Sequence, residues 1–255
     1  MLVLNTAFVV RLFLVFARIS GFFFSAPVFS HRSIPVQLRV FLALLLAFLL
    51  TTVLPMHTPE YVAHPLGLIL ATALEALTGL LLGFAVQFVF WTVQFASEII
   101  GFQVGLTLAQ VYDPIAGSRA NPLGRFFIMS LTILFLLLNG HHEVIRGLAT
   151  SFQWIPLAGA DFPHSGELLL QWVGVLFSTA LRLATPFMFT ILILDLALGI
   201  LVRMVPQADL FSIALPLKLL LGLIITYFFL NTFFPFASQL LERMVQYLAE
   251  MIAAL

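Results

Sequence analysis

Six long apolar runs separated by short connections dominate this sequence, at residues 2 to 29, 36 to 54, 66 to 108, 123 to 140, 168 to 202 and 211 to 252. Backbone polar groups in hydrocarbon must be satisfied within the segment, and these runs are far longer than barrel strands, so they read as helices. The composition agrees: of 255 residues 62% are hydrophobic and 9% charged, where a soluble domain carries roughly a quarter charged. The fold class is therefore an all-α, multi-pass membrane protein, with no room for a sizeable extramembrane domain.

The connections carry turn-forming residues: Ser30 to Pro35, Pro55 to Pro65, Asp113 to Gly124, and the longest, His141 to Glu167, with Pro156, Gly159 and Pro163. Arg32 and Arg39 flank the first loop, Arg119 and Arg125 the third, and Arg203 and Lys218 the fifth, while the second has no basic residue and the fourth only Arg146. That alternation fits six spans with both termini outside. No basic region precedes the first apolar run, and Arg11 and Arg18 interrupt it, which argues against a cleavable signal peptide. With 11 basic and 11 acidic residues the chain has no net charge and no nucleic-acid surface, and with no cysteine it has no disulfide, thiolate metal site or cysteine nucleophile.

Arg18, Glu75, Glu98, Arg182, Asp195, Arg203 and Lys218 lie inside or at the ends of apolar segments. A charge at the bilayer centre costs about 2.5 to 3.5 kcal/mol, so most of these must face protein or water, although Arg203 and Lys218 could snorkel from segment ends. In the third segment Thr72, Glu75, Gly79, Gly83, Gln87, Gln94, Ser97, Glu98, Gly101 and Gly105 share an arc of about 140°. The glycine pairs could pack against the chain's own helices, but the polar stripe as a whole points to other subunits or a water-filled path. Residues 72 to 105 as one helix would span about 50 Å against a hydrocarbon core of roughly 30 Å, so the segment is kinked, broken or projecting. Pro186 interrupts the fifth segment, while Pro206 and Pro216 precede the sixth and Pro235 breaks it, which predicts bent helices.

Chemistry is scarce. There is no phosphate-cradling Gly loop ending in Lys-Ser or Lys-Thr and no Gly-x-Ser-x-Gly elbow. His141, His142 and Glu143 are adjacent rather than three or four apart, which suits a helix end at the membrane interface better than a metal site. Asp195 could relay protons, but a structural pair with Arg182 or Arg203 is the stronger reading. The 28 phenylalanines build packing. The chain reads as a non-enzyme without cofactor or metal.

Four stretches, in order over most of the chain, jointly resemble the FliR family of flagellar type III export gate components, called SctT in injectisomes. They are Arg18-Ile-Ser-Gly-Phe-Phe-Phe-Ser-Ala-Pro-Val-Phe-Ser-His-Arg-Ser-Ile-Pro; Glu98-Ile-Ile-Gly-Phe-Gln-Val-Gly-Leu followed by Val111-Tyr-Asp-Pro; Asn139-Gly-His with Ser151-Phe and Pro156; and Asp195-Leu-Ala-Leu-Gly-Ile-Leu-Val-Arg203-Met-Val-Pro206-Gln207 with Phe211 and Pro216-Leu-Lys. The Glu-Ile-Ile-Gly and Asp-Pro context is closer to the flagellar branch.

The resemblance implies long kinked helical hairpins, with residues 1–165 FliP-like and 166–255 a FliQ-like hairpin, arranged helically in a hetero-oligomeric pore in the bacterial inner membrane, within the flagellar basal body. The implied partners are FliP, FliQ, FlhB, FlhA, membrane lipid and the exported flagellar proteins. It also implies a pore-plugging loop at Leu106 to Pro122. Within it Leu106, Gln110, Asp113, Pro114, Gly117, Ser118, Arg119, Asn121 and Pro122 are the candidate plug residues, and the Asp-Pro, Gly-Ser and Asn-Pro pairs favour turns over helix. An ordinary hydrophilic connector is the other reading of that loop. Glu98, Asp195 and Arg203 are expected to pair across helices or subunits. The alternative function is a small-solute secondary transporter or ion channel using Asp195 with Glu75 or Glu98, but the two similar halves such proteins show are absent. An intramembrane protease would need a Ser/His or paired-Asp arrangement within facing helices, and Asp195 and Asp209, the only close aspartates, belong to one short stretch.

Overall fold

The computed structural model describes residues 6–31, 33–55, 57, 59, 62, 64–106, 121–204 and 210–255. Among them the chain forms seven α-helices: α1 (Thr6–Ser25), α2 (Val36–Val53), α3 (Pro65–Val104), α4 (Pro122–Leu137), α5 (Gly140–Trp154), α6 (Pro163–Met204) and α7 (Leu210–Ala254). Five of these are long and apolar enough to cross a membrane, or up to six crossings if α4 and α5, bent by 70° at their junction, count as one broken span. The bend falls where Asn139 takes the left-handed conformation, with φ of 56°, which asparagine tolerates better than most residues.

Two expectations change, and a third narrows to its projecting alternative: α3 runs as one 40-residue helix, about 60 Å long and twice the hydrocarbon thickness. It ends at Gly105, whose φ of +86° only glycine adopts at no cost. The prolines do not divide the C-terminal segments either, since Pro186 lies inside the 42-residue α6 and Pro216 and Pro235 lie inside the 45-residue α7. Pro216 therefore belongs to α7 and does not precede it. Finally, the expected connection from His141 to Glu167 contains a helix, α5. It buries Val144, Leu148 and Phe152, one every fourth residue, and leaves His142 and Arg146 exposed, so no continuous apolar run announces it.

Contacts divide the chain into two compact units. The first comprises Met1–Val89, Leu136–Trp172 and Leu241–Leu255, and the second Phe90–Phe135 and Val173–Leu240. In the first, α1 packs on α2 and on the N-terminal half of α3. There Trp172 lies 4.9 Å from the Tyr247 ring and 5.6 Å from that of Phe88, and its indole N–H donates to Glu250 at 3.1 Å. The second unit is centred on Phe127 of α4, whose ring is 4.9 Å from Phe233 and 6.1 Å from Phe229, the latter 5.3 Å from Phe187. Buried aromatic pairs add about 0.5 to 1.5 kcal/mol each beyond their area.

Candidate functional site

In the first unit, Arg18 of α1 and Glu75 of α3 are 0% and 1% exposed and face each other as a bidentate pair. Nε donates to Oε2 at 2.5 Å and Nη2 to Oε1 at 3.0 Å. The remaining guanidinium hydrogens reach the end of α5 and the turn after it: Nη1 donates to the Ser151 carbonyl at 3.2 Å, and Nη2 to the carbonyls of Ile155 and Pro156 at 3.2 and 3.4 Å. The backbone N–H of Ala158 donates to Glu75 Oε1 at 2.6 Å, and the Phe152 ring stands 4.3 Å from Arg18 Cζ. One arginine thus satisfies a buried carboxylate, the buried carbonyls of Ser151 and Ile155 and the part-buried one of Pro156, which its planar five-donor fork makes possible.

Small residues make the approach possible. A Cβ on Gly79 would fall on the Arg18 carbonyl, one on Gly21 on the Ala76 carbonyl, and one on Gly83 on the Ser25 hydroxyl. Ser25 Oγ donates to the Leu80 carbonyl at 3.0 Å. Arg18, Gly21 and Ser25 on α1 therefore mesh with Glu75, Gly79 and Gly83 on α3. The N-terminal half of the polar stripe is packing within the chain, contrary to the expectation that the stripe as a whole faces other subunits or water. Further along α3, Gln94 and Glu98 are exposed.

In the second unit, buried Asn121 ties the start of α4 to α3. Its Nδ2 donates to the Ser97 carbonyl at 2.7 Å, and its Oδ1 accepts from the Leu123 N–H at 3.1 Å. Asn121 is thus an N-cap and Pro122 the first helical residue, a favoured pairing. The expectation that this dipeptide turns away from helix is corrected. Gly101 leaves the space that the Asn121 amide fills. Of the other candidate plug residues, Leu106 is half-buried, and Gln110, Asp113, Pro114, Gly117, Ser118 and Arg119 lie outside the described residues, as do Pro206 and Gln207.

Asp195 pairs with Lys218, Oδ1 to Nζ at 2.7 Å, and with neither Arg182 nor Arg203. Glu98, Arg182 and Arg203 are exposed and have no partner among the described residues. His141 and His142 open α5 with ring centroids 4.1 Å apart, and Glu143 binds Arg146. No group of three His, Asp or Glu residues among the described ones is placed to hold a metal ion.

Long apolar helices with their buried charges spent on one another define a multi-pass membrane protein whose polar interior holds helices together. The chain belongs to the FliR family: residues 9–244 match the family described as bacterial export proteins, family 1. It is 34% identical to the flagellar biosynthetic protein FliR of Escherichia coli K12 over 93% of this chain and 91% of that protein. It is 32% identical to FliR of Bacillus subtilis 168 over 94% and 93%, and 30% identical to FliR of Aquifex aeolicus VF5 over 88% and 86%. Family membership places it among export proteins that are not enzymes.

Proposed function

We propose that this chain is a subunit of the flagellar type III export gate, building with FliP and FliQ the channel through which unfolded flagellar proteins cross the inner membrane at the basal body. The observation that carries this is its likeness, over nearly its whole length, to flagellar biosynthetic proteins FliR from distant bacteria. In this reading residues 1–165 take the FliP-like place, residues 166–255 form the FliQ-like hairpin, and FlhB and FlhA dock on the assembly. The hairpin is supported by the Asp195–Lys218 pair, which joins α6 and α7 at nearly equal distances from their connection.

The loop from Leu106 to Pro122 plugs the channel at rest and moves aside for substrate. In this reading the part of the loop that moves lies before Asn121, which is tied to Ser97 and anchors the end next to α4. Three experiments test the proposal. Deletion of the gene should abolish motility and flagellin secretion, and the tagged chain should co-purify with FliP and FliQ; a lone monomer in mild detergent counts against it. Removing residues 111–120 should raise ion conductance through the assembled gate, and unchanged conductance with intact assembly refutes the plug.

A further inference from the structure

Where the start of α1 meets the end of α2 there is a cleft with a mixed lining. Phe8 of α1 stands edge to face against Phe48 of α2, ring centroids 6.4 Å apart, so the first turns of one helix lie beside the last turns of the other. Phe8, Arg11 and residues 51–55 border a space of about 470 Å³, in the range of small-ligand pockets. All of it lies in the first unit.

Three properties narrow what fits there. The first is depth: α1 and α2 have 20 and 18 residues, about 30 and 27 Å, so each is as long as one hydrocarbon core, and a cleft at their ends lies at the level of lipid headgroups. The second is a cation. Arg11 is half-buried and is the only charged residue among the described ones that line the cleft. Its Nε donates to the Ala7 carbonyl at 3.2 Å and it makes a further contact within the chain. With five N–H groups in a planar fork, a guanidinium can hold such contacts and a phosphate together.

The third property is a set of acceptors. The Leu54 N–H caps the Leu50 carbonyl at 2.9 Å, and the carbonyls of Thr51, Thr52 and Val53 follow, past the last N–H that their own helix can supply. The Thr51 and Thr52 hydroxyls donate backward, to the Ala47 carbonyl at 2.7 Å and the Leu49 carbonyl at 2.8 Å, so they bring no hydrogen to the cleft. This helix end carries partial negative charge. A headgroup that is only anionic suits Arg11 but not the carbonyls beside it.

We propose that the cleft binds the headgroup of a zwitterionic phospholipid with a primary ammonium, a phosphoethanolamine. The phosphate sits on Arg11, the ammonium donates to the carbonyls that end α2, and the glycerol end lies against Phe8, Val53 and Leu54. A choline headgroup keeps the phosphate contact but has no N–H for the carbonyls, and a glycerol headgroup leaves a net negative charge beside the helix end. Membrane placement of α1 and α2 is enough for this; the export assignment is not required.

The test is native mass spectrometry of the tagged full-length chain, with the partners it retains in mild detergent, titrated with dioleoyl phosphatidylethanolamine, phosphatidylcholine, phosphatidylglycerol or inorganic phosphate. Wild type should hold one phosphatidylethanolamine at least about tenfold more tightly than either other lipid, and Arg11→Leu should lose that preference. Excess inorganic phosphate should not displace the lipid. Equal retention of the three lipids by wild type overturns the proposal, as does an unchanged preference in Arg11→Leu, which would put the lipid elsewhere. Displacement by inorganic phosphate overturns it too, because the cleft would then be a site for free anions. The wild-type preference is read without any substitution, so it decides the matter even where Arg11→Leu fails to fold. A wild-type chain that migrates alone bears on the export-gate reading and not on this one.

Discussion

At the scale of single residues, Arg18 carries more of the structure than any other side chain described. It is fully buried and joins α1, α3 and the turn after α5 through separate hydrogen bonds. Removing one partner of such a pair leaves an uncompensated charge and costs about 3 to 5 kcal/mol. Arg18→Ala should therefore lower the thermal unfolding midpoint in detergent sharply and reduce the amount of chain in the membrane. Exchanging the charges, Arg18→Glu with Glu75→Arg, should not restore either quantity, because a glutamate at 18 cannot donate to the carbonyls of Ser151, Ile155 and Pro156. Recovery of wild-type stability by the exchange would show that the ion pair alone matters. Asn121→Ala removes a helix cap and the bond to Ser97 together, with an expected loss of about 1 to 2 kcal/mol measured the same way. The sequence marks Arg18, Glu75 and Asn121 as places where something must happen. It does not say which of several mid-segment cations Glu75 meets, because a separation of 57 positions from Arg18 carries no register signal.

At the scale of elements, the apolar runs were legible to within a few residues, since each helix follows one of them. The exception is α5, which buries only one residue in three, two of them Gly140 and Ser151, and so resembles a connection in any hydropathy average. Glycine spacing was legible on α3, but its counterpart Gly21 on α1 was not, because a lone glycine among Phe and Ile carries no pattern. The two faces can be told apart by substitution. Gly79→Ala puts a methyl group onto the Arg18 carbonyl and should separate α1 from α3, destabilising the chain by at least about 2 kcal/mol. Gly199→Ala, on α6, meets nothing within 4 Å and should be neutral or gain up to about 1 kcal/mol from helix propensity. Equal losses at the two positions would mean that close packing is not what Gly79 provides.

At the scale of the whole molecule, many apolar side chains of α2, α4, α6 and α7 are left exposed by the chain, as Phe41, Met129, Phe189 and Phe228 illustrate. Low charge reads as membrane in the sequence, yet the buried polar knots show that the same composition also serves contacts between helices. The outer face of α5, with His142 and Arg146 exposed, is expected to meet water. Single cysteines in an otherwise cysteine-free chain check this: Arg146→Cys should react with an impermeant thiol reagent in intact membranes and Ile133→Cys should not, and the reverse pattern would place the boundary elsewhere.

The knot around Arg18 also has an order in time. Glu75 is made 57 residues after Arg18, and the carbonyls of Ser151 and Ile155 follow Arg18 by 133 and 137 residues. At about 5 to 20 residues per second, α1 carries an unmatched guanidinium for roughly 3 to 11 s before its carboxylate exists. Until α3 arrives the first helix therefore carries a charge that costs about 2.5 to 3.5 kcal/mol in lipid, and the N-terminal unit reaches its final packing only once α1, α3 and the turn after α5 have all been made.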